Sequence, residues 1–291
     1  YESLTKKNTE LTNIKKLISS NNAKYALDNN GYLYAKGGTY TGMWGDISSK
    51  SNYIKVTKDG TNYFDNVKDI FTSKVGNSAI FITKDNKIYW AGATAYIGLP
   101  NIQGDIQTTG AGTLTKYPKE VNSTKIDEIK DKILDIKYSF INTGGIEGRN
   151  TLIQTTDGKI YTYSANNANM TGLGKTTTDF EELKIKEGTT VEQIETEDGL
   201  SLAILSNGEV YGWGYNTYGI LGEGYEVGGI YPTPVKLNLN NINYMSLGEG
   251  FAIFASKTGE VYGIGKNDYG QLGTGDNTGA SNFVRCEELE K

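Results

Sequence analysis

SLAILSNGEVYGWGYNTYGILGEG at Ser201–Gly224 and AIFASKTGEVYGIGKNDYGQLGTGD at Ala252–Asp276 are two copies of one pattern. Each copy is a short apolar strand, a tight turn ending in Gly, a second strand ending in Tyr, and a Gly-studded loop. That order is a β-hairpin with a loop leaving it. A hairpin that returns at a fixed period marks a repeat architecture.

Upstream of Tyr211 and Tyr262 the same register is found at Tyr161, Tyr89 and Tyr34. The intervals are 50 to 55 residues, stretching to 72 between Tyr89 and Tyr161. The turn pairs are Asn30-Gly31, Asp85-Asn86, Asp157-Gly158, Asn207-Gly208 and Thr258-Gly259. All but the last are strong signals for a two-residue hairpin turn, because Asn, Asp and Gly adopt positive φ at low cost. The strands before the turns hold Tyr25-Ala26-Leu27, Ile80-Phe81-Ile82, Leu152-Ile153, Leu202-Ala203-Ile204 and Ile253-Phe254. Apolar residues at successive positions predict strands buried on both faces, in sheets stacked face to face.

A further strand precedes each hairpin, written as an apolar pair three apart: Ile14/Leu17, Val67/Ile70, Ile133/Ile136, Val191/Ile194 and Ile242/Met245. Each unit closes on a weaker β-like segment, at 53–56, 117–121, 180–185, 231–237 and 283–286. Pro118, Pro232 and Pro234 fall in these segments, and Pro belongs on edge strands. About four strands per unit, with the outer edge marked, is the plan of a propeller blade. The expectation is an all-β chain: a β-propeller of four-stranded antiparallel blades in one domain over 1–291. Its units are 14–64, 65–130, 131–188, 189–240 and 241–291, and 1–13 supply a strand that closes the ring and removes an exposed edge.

The stretches YGWGYNTYGILG at 211–222 and YGIGKNDYGQLG at 262–273 closely resemble the repeat of the regulator of chromosome condensation family. The likeness is strong in these last two units and degenerate in the first three. It implies a propeller of radially stacked four-stranded blades, usually seven, where five hairpins are found here. The start at Tyr1 instead of Met fits a processed or truncated chain. The resemblance also implies an interaction scaffold, since family members include a nuclear exchange factor for a small GTPase and a bacterial propeller that inhibits β-lactamases. The family usually carries a His where Ala23, Ser78, Asn150, Leu200 and Phe251 stand, so contacts made through that His do not carry over.

Thirty-seven Gly, 21 Tyr and four Pro suit many tight turns, and no stretch has the length or apolarity of a membrane helix, so no membrane insertion is expected. Net charge is −5, with dispersed Lys and only Arg149 and Arg285, which disfavours nucleic acid as a partner. Cys286 stands alone, so the fold needs no disulfide, and an isolated Cys in a strand reads as a small buried hydrophobe.

His is absent, which excludes a His-based triad, His-ligated zinc and the commonest general base near neutral pH. Neither a thiolate metal cluster nor a calcium-loop motif is present, and the Gly runs lack the helix and Lys-Ser/Thr pair of a phosphate loop. No cofactor is expected. The acidic groups Glu181-Glu182, Glu195-Glu197-Asp198 and Glu287-Glu288-Glu290 offer pairs for glycoside cleavage, set against the plainer reading of solvated charges. The repeat tyrosines likewise either line a binding channel or pack between blades.

If the turns occupy one rim of the blades, the opposite rim collects two loops per blade, a lead-in loop before the second strand and a lead-out loop after the third. Loops on a rigid scaffold are where recognition is placed. The lead-in loop of the third unit, KYSFINTGGIEGRN at 137–150, is eight residues longer than its counterparts, and the lead-out segment of the second unit is also long. Such insertions form an asymmetric binding surface or are tolerated surface loops. Tyr40, Tyr96, Phe140, Arg149, Leu200, Tyr215, Tyr218, Phe251, Lys266 and Tyr269 are the candidate partner-binding residues, because Tyr, Phe and Arg anchor protein interfaces. The function expected is a non-enzymatic protein-protein interaction module. The Lys-, Asn- and Tyr-rich, Arg-poor composition points to a bacterium, with the module secreted or surface-displayed. Alternatives are a carbohydrate-binding or carbohydrate-active propeller with a glycan partner, a specific inhibitor of a secreted enzyme, and an exchange-factor-like binder of a small GTPase.

Overall fold

In the computed structural model, all five hairpin turns close in the same way, and not as two-residue turns. Leu205 N donates to Glu209 O at 2.9 Å, and Gly208 N donates to Leu205 O at 2.8 Å. The pairs Asp28/Tyr32 with Gly31, Thr83/Lys87 with Asn86, Thr155/Lys159 with Gly158 and Ser256/Glu260 with Gly259 repeat it. This is a three-residue loop in which only the last residue needs positive φ, observed at 99°, 59°, 74°, 79° and 92° for Gly31, Asn86, Gly158, Gly208 and Gly259. The residue ahead is free of that demand, which is why Thr258 serves there.

The structure describes residues 11–38, 43, 48–74, 77–107, 112–143 and 145–287. Among them the hairpins grow into five four-stranded antiparallel sheets, each in simple sequence order. The first sheet is Ile14–Ser19, Ala23–Asp28, Leu33–Gly37 and Lys50–Lys55; the second is Val67–Thr72, Ser78–Thr83, Ile88–Gly92 and Lys119–Glu120. The third is Ile133–Thr143, Ile146–Thr155, Ile160–Tyr163 and Glu181–Leu183. The fourth is Val191–Glu197, Leu200–Leu205, Val210–Tyr215 and Ile230–Lys236; the fifth is Ile242–Gly248, Phe251–Ser256, Val261–Gly265 and Ala280–Arg285. The first two sheets lie in one compact unit; Ile97–Pro100 and the other three sheets lie in a second. The ring-closing strand expected of 1–13 falls mostly on residues 1–10, which lie outside the described residues, and 11–13 form no strand.

Each first strand carries a register shift after its first residue: Ile14/Lys16, Val67/Asp69, Ile133/Asp135, Val191/Gln193 and Ile242/Tyr244. In a regular strand, residues three apart face opposite sides. A bulge inserts one extra residue and brings them to the same side, which accounts for the apolar spacing of three. Val67 with Ile70 and Ile242 with Met245 are thereby buried together. The first sheet departs, with Leu17 exposed and Ile18 packed against the core instead.

The second strands Ser78–Thr83 and Leu200–Leu205 are buried at every residue, as strands covered on both faces must be. In the first unit one core cluster joins Tyr25, Leu27 and Leu33 to Ile70 and Phe81 of the next sheet. In the second unit, one cluster joins Leu152 and Ile160 to Ile194 and Trp213, and another joins Leu202 and Leu221 to Met245 and Phe254. Burying each such side chain contributes about 1.5–3 kcal/mol. Cys286 is part of this interior. Polar groups also bridge sheets: Gln193 donates to Met245 O at 2.7 Å and accepts from Met245 N at 2.9 Å. The long segment before the third sheet holds a two-stranded ribbon, Ile106–Gln107 with Thr113–Leu114, and the helix Thr124–Ile129 capped by Ser123.

The turn of the fourth sheet gives a pH prediction. Glu209 accepts from Lys186 Nζ at 2.6 Å, Lys236 Nζ at 2.7 Å and Asn207 Nδ2 at 3.0 Å, and these donors, Lys186 first, hold its carboxyl at about 2, below its usual 4.5. A carboxyl held below its unfolded value stabilises the fold above pH 4.5 and loses that contribution as pH falls towards 2. Thermal melts across this window should therefore show a shallower fall for Glu209→Gln than for the native chain. Parallel curves would contradict the pairing.

Candidate functional site

The long lead-in segment of the third sheet is not a loop. The strands Ile133–Thr143 and Ile146–Thr155 stay paired to their tips, with Phe140 opposite Arg149, Ile141 opposite Gly148 and Thr143 opposite Ile146. Phe140 and Arg149 are half-buried strand residues on this ribbon, and Arg149 is ion-paired with Glu147. Gly145, at φ 82°, lies in the turn that joins the two strands.

The ribbon is seated by a small cluster of Ile141, Ile146, Met170 and Tyr215. A methyl group on Gly148 would lie 2.3 Å from Met170 Sδ and 2.8 Å from Asn167 Nδ2, so a larger residue there would push the ribbon off its seat. The Tyr215 hydroxyl accepts from Asn167 Nδ2 at 2.9 Å and Asn169 Nδ2 at 3.0 Å. Beneath lies a buried polar network: Ser139 Oγ donates to Asn150 Oδ1 at 2.8 Å, and Asn150 Nδ2 donates to Ser201 Oγ at 3.1 Å. Thr196 completes it, 2.9 Å from both hydroxyls. Such a network fixes two neighbouring sheets in one arrangement.

Two of the expected contact residues are therefore corrected. Tyr215 is 5 % exposed and Leu200 is 3 % exposed. Both sit at strand ends, where the next strand and the ribbon cover them, so neither presents a surface to a partner. The lead-in turn just before Leu200 is tight: Glu197 pairs with Leu200, and Asp198 and Gly199 both take positive φ, 47° and 77°. Asp-Gly suits this primed turn.

The next lead-out loop is built on buried Asn216, whose Oδ1 accepts from Leu221 N at 3.0 Å and whose Nδ2 donates to Glu226 O at 2.9 Å. Asn267 repeats the arrangement in the fifth sheet, accepting from Leu272 N at 2.8 Å and donating to Asp276 O at 2.9 Å. Rigid loops result, and on them Tyr218 is half-buried beneath Lys266, whose Nζ lies 4.2 Å from its ring centre. The Lys266 stem crosses Gly250, and Phe251 lies half-buried over Gly248. Tyr269, at the tip of the next loop, is 93 % exposed; Val227 on the preceding loop and Ile230 at the start of the outer strand that follows it are also exposed. Burial first, and then Glu249, raise the Asp198 carboxyl above its usual range, while Lys266 opposes the shift.

Between these loops the crevice lined by Asp198, Tyr218, Leu247 and Gly250 has a volume of about 10 Å³. That is room for at most one water. Tyr96 lies in the first unit, in the short helix Thr94–Tyr96 packed with Ala93 and Leu114, and Tyr40 lies outside the described residues. Of the acidic groups, Glu181 pairs with Lys175 at 2.6 Å, Glu182 with Lys159 at 3.2 Å and Glu195 with Lys137 at 3.2 Å, while Glu288 and Glu290 lie outside the described residues. Among the described residues no group of three or more acidic or Cys side chains is arranged to hold a metal ion.

Asn169, Met170, Val227 and Ile230 were not singled out from the sequence. Asn216 and Asn267 each stand five residues after the repeat tyrosine, a spacing that signals their shared anchoring role.

Comparison with known proteins places the chain. Residues 207–255 and 258–285 match the Regulator of chromosome condensation (RCC1) repeat. The Protein RCC2 homolog of Danio rerio is 29 % identical over 160 residues, 54 % of this chain and 32 % of that protein. The Ultraviolet-B receptor UVR8 of Arabidopsis thaliana is 30 % identical over 128 residues, 43 % of this chain and 29 % of that protein. The chain thus spans about a third of these relatives' length. Human WBSCR16 aligns with a TM-score of 0.67 at 16 % identity, over 94 % of this chain and 67 % of that one. Prp20p from Saccharomyces cerevisiae, described with its binding to Gsp1p and histones, aligns at 0.53 and 15 %, over 94 % and 76 %. The RCC1 repeat match falls within residues 207–285, in the last two units, and the five four-stranded sheets share the β-propeller fold of these solved structures.

Proposed function

We propose that this RCC1-repeat propeller is a non-enzymatic module that binds another protein through the loop end of its last three blades. The observation that carries the reading is Tyr269, 93 % exposed on a loop pinned by a fully buried Asn267. A large aromatic presented to water on a rigid support costs little entropy to immobilise, which suits an interface anchor. Tyr218 under Lys266 and the exposed Val227 and Ile230 extend the same end with the residue types of a contact surface. At this end the crevice of about 10 Å³ has no room for a small substrate, which supports a macromolecular partner there. Protein binding by Prp20p, described with Gsp1p and histones, supports the same class of function.

Finer versions are an inhibitor of a secreted enzyme and an exchange-factor-like binder of a small GTPase, and the partner's identity separates them. A secreted or surface-displayed bacterial module rests on composition, and fractionation of the native organism tests it.

The purified chain is used to capture partners from extract and culture supernatant, alongside a variant carrying Tyr218→Ala, Lys266→Ala and Tyr269→Ala. Tyr269 is exposed while Tyr218 and Lys266 are half-buried at the edge of the core, so a melting curve of the variant is taken alongside to identify any loss of fold. A captured protein whose affinity falls about thirtyfold or more in the variant is the expected result. Equal capture by both would overturn the assignment.

A further inference from the structure

The first blade holds an aromatic cage that the loop-end reading does not use. The Lys55 ammonium lies 3.2 Å from the ring centre of Tyr32, 4.5 Å from that of Tyr63 and 5.8 Å from that of Tyr34. Two walls stand nearly perpendicular, since the Tyr32 and Tyr63 rings meet at 88° with centres 6.1 Å apart. The walls are built from separate, ordered pieces of chain. Asp28 Oδ1 accepts from the backbone N–H groups of Asn30, Gly31 and Tyr32, each at 2.9 Å, fixing the turn that presents Tyr32. The Tyr34 hydroxyl lies 3.4 Å from Asp28 Oδ2. Tyr63 returns on a turn in which Asp59 accepts from Thr61 N at 2.9 Å and Asn62 N at 2.7 Å.

Cages of this kind attract cations through the negative ring faces. The occupant here is poorly matched to it. An ammonium carries three N–H donors, and among the described residues none accepts a hydrogen bond from Lys55. Hydrogen bonds to water compete with the ring faces for an ammonium's N–H groups. A trimethylammonium group has no donors to satisfy, and loses nothing by entering. Lys55 is also held on a flexible stem at the end of a strand and can swing into solvent, while Tyr63 is half exposed and leaves the cage open on that side.

We propose that Tyr32, Tyr34 and Tyr63 form a binding site for a quaternary ammonium compound of the choline type, and that Lys55 is a tethered cation that fills the cage until such a ligand displaces it. The site is independent of the loop end, and its test does not depend on finding a protein partner.

The purified chain is titrated with choline and tetramethylammonium at constant ionic strength, with the uncharged choline isostere 3,3-dimethylbutan-1-ol as control and tyrosine fluorescence as readout. Saturable binding of both cations and none of the alcohol is expected. Lys55→Gln should tighten choline binding about tenfold by removing the competitor, and Tyr32→Leu or Tyr63→Leu should weaken it about tenfold or more. Melting curves for the tyrosine variants identify any that fail to fold, and Lys55→Gln alters no core residue. Phosphatidylcholine vesicles in a parallel arm distinguish a lipid headgroup, which would sediment the chain and be competed by choline, from a soluble ligand, which would not. No saturable choline binding by either the native chain or Lys55→Gln would overturn the proposal. Equal binding of the uncharged isostere, or native affinity in Lys55→Gln, would also overturn it.

Discussion

Placing a single methyl group on Gly214 is expected to destabilise the second unit by about 3 kcal/mol or more, lowering its melting temperature by roughly 6 °C or more. Gly214 takes φ 105° at the end of the third strand, where an added Cβ would lie 2.0 Å from the carbonyl oxygen of Gly199. The obstacle is backbone of the tight Asp198-Gly199 turn and cannot rotate away, and the φ is itself strained for any residue with a Cβ. Gly37, Gly92 and Gly265 occupy the same place in their own sheets, with Cβ positions 2.2, 2.1 and 2.3 Å from the carbonyl oxygens of Asn22, Asn77 and Gly250. The third sheet has Ser164 there, and its lead-in connection is the long ribbon in place of a tight turn. Ser164→Gly accordingly relieves no clash, and it removes the buried hydroxyl that accepts from Asn167 N at 3.2 Å. A Gly214→Ala chain that melts within about 2 °C of the native one would show that the turn gives way.

Replacing Trp213 by alanine is expected to cost about 3–5 kcal/mol and to loosen the loop end as well. The indole is fully buried, and its Nε1 donates to Met170 O at 3.2 Å. A Cβ on Gly172 would come within 3.1 Å of that nitrogen, so the ring fills the space between the third sheet's lead-out loop and the fourth sheet. Removing it leaves a cavity and unseats Met170, which holds the ribbon through Ile141 and Tyr215. Hydrogen exchange at Asn167, Asn169 and Gly148 should therefore accelerate more than in Trp213→Phe, which keeps most of the packing and loses one hydrogen bond. Equal exchange in the two variants would mean that Met170 is held without the indole.

The blade plan was legible because it rests on local chemistry: a turn residue that takes positive φ in all five units, an apolar strand before it, and Pro in the edge segments of two units. What the sequence hid follows from contacts between distant residues. The apolar spacing of three showed that a strand precedes each hairpin but not the bulge that causes it. Residues 137–150 read as a loop because the segment is eight residues longer than its counterparts, although strand pairing continues through it to Thr143 and Ile146. Leu200 and Tyr215 read as surface because they flank loops, yet a strand end is covered by whatever packs beside it, and here that is Ile141, Met170 and the neighbouring blade. Tyr269 reads as surface and is exposed, since it stands at a loop tip that no other described residue covers. The cage around Lys55 joins residues from two turns and two strands, and no local pattern announces it.

Hydrogen-exchange footprinting of the chain with its captured partner tests the central claim most directly. Protection confined to the lead-in and lead-out loops of the last three blades, centred on residues 215–230 and 265–280, is the expected result. Protection of the outer strands at 181–183, 230–236 and 280–285 without the loop tips, or of the first two blades alone, would contradict it.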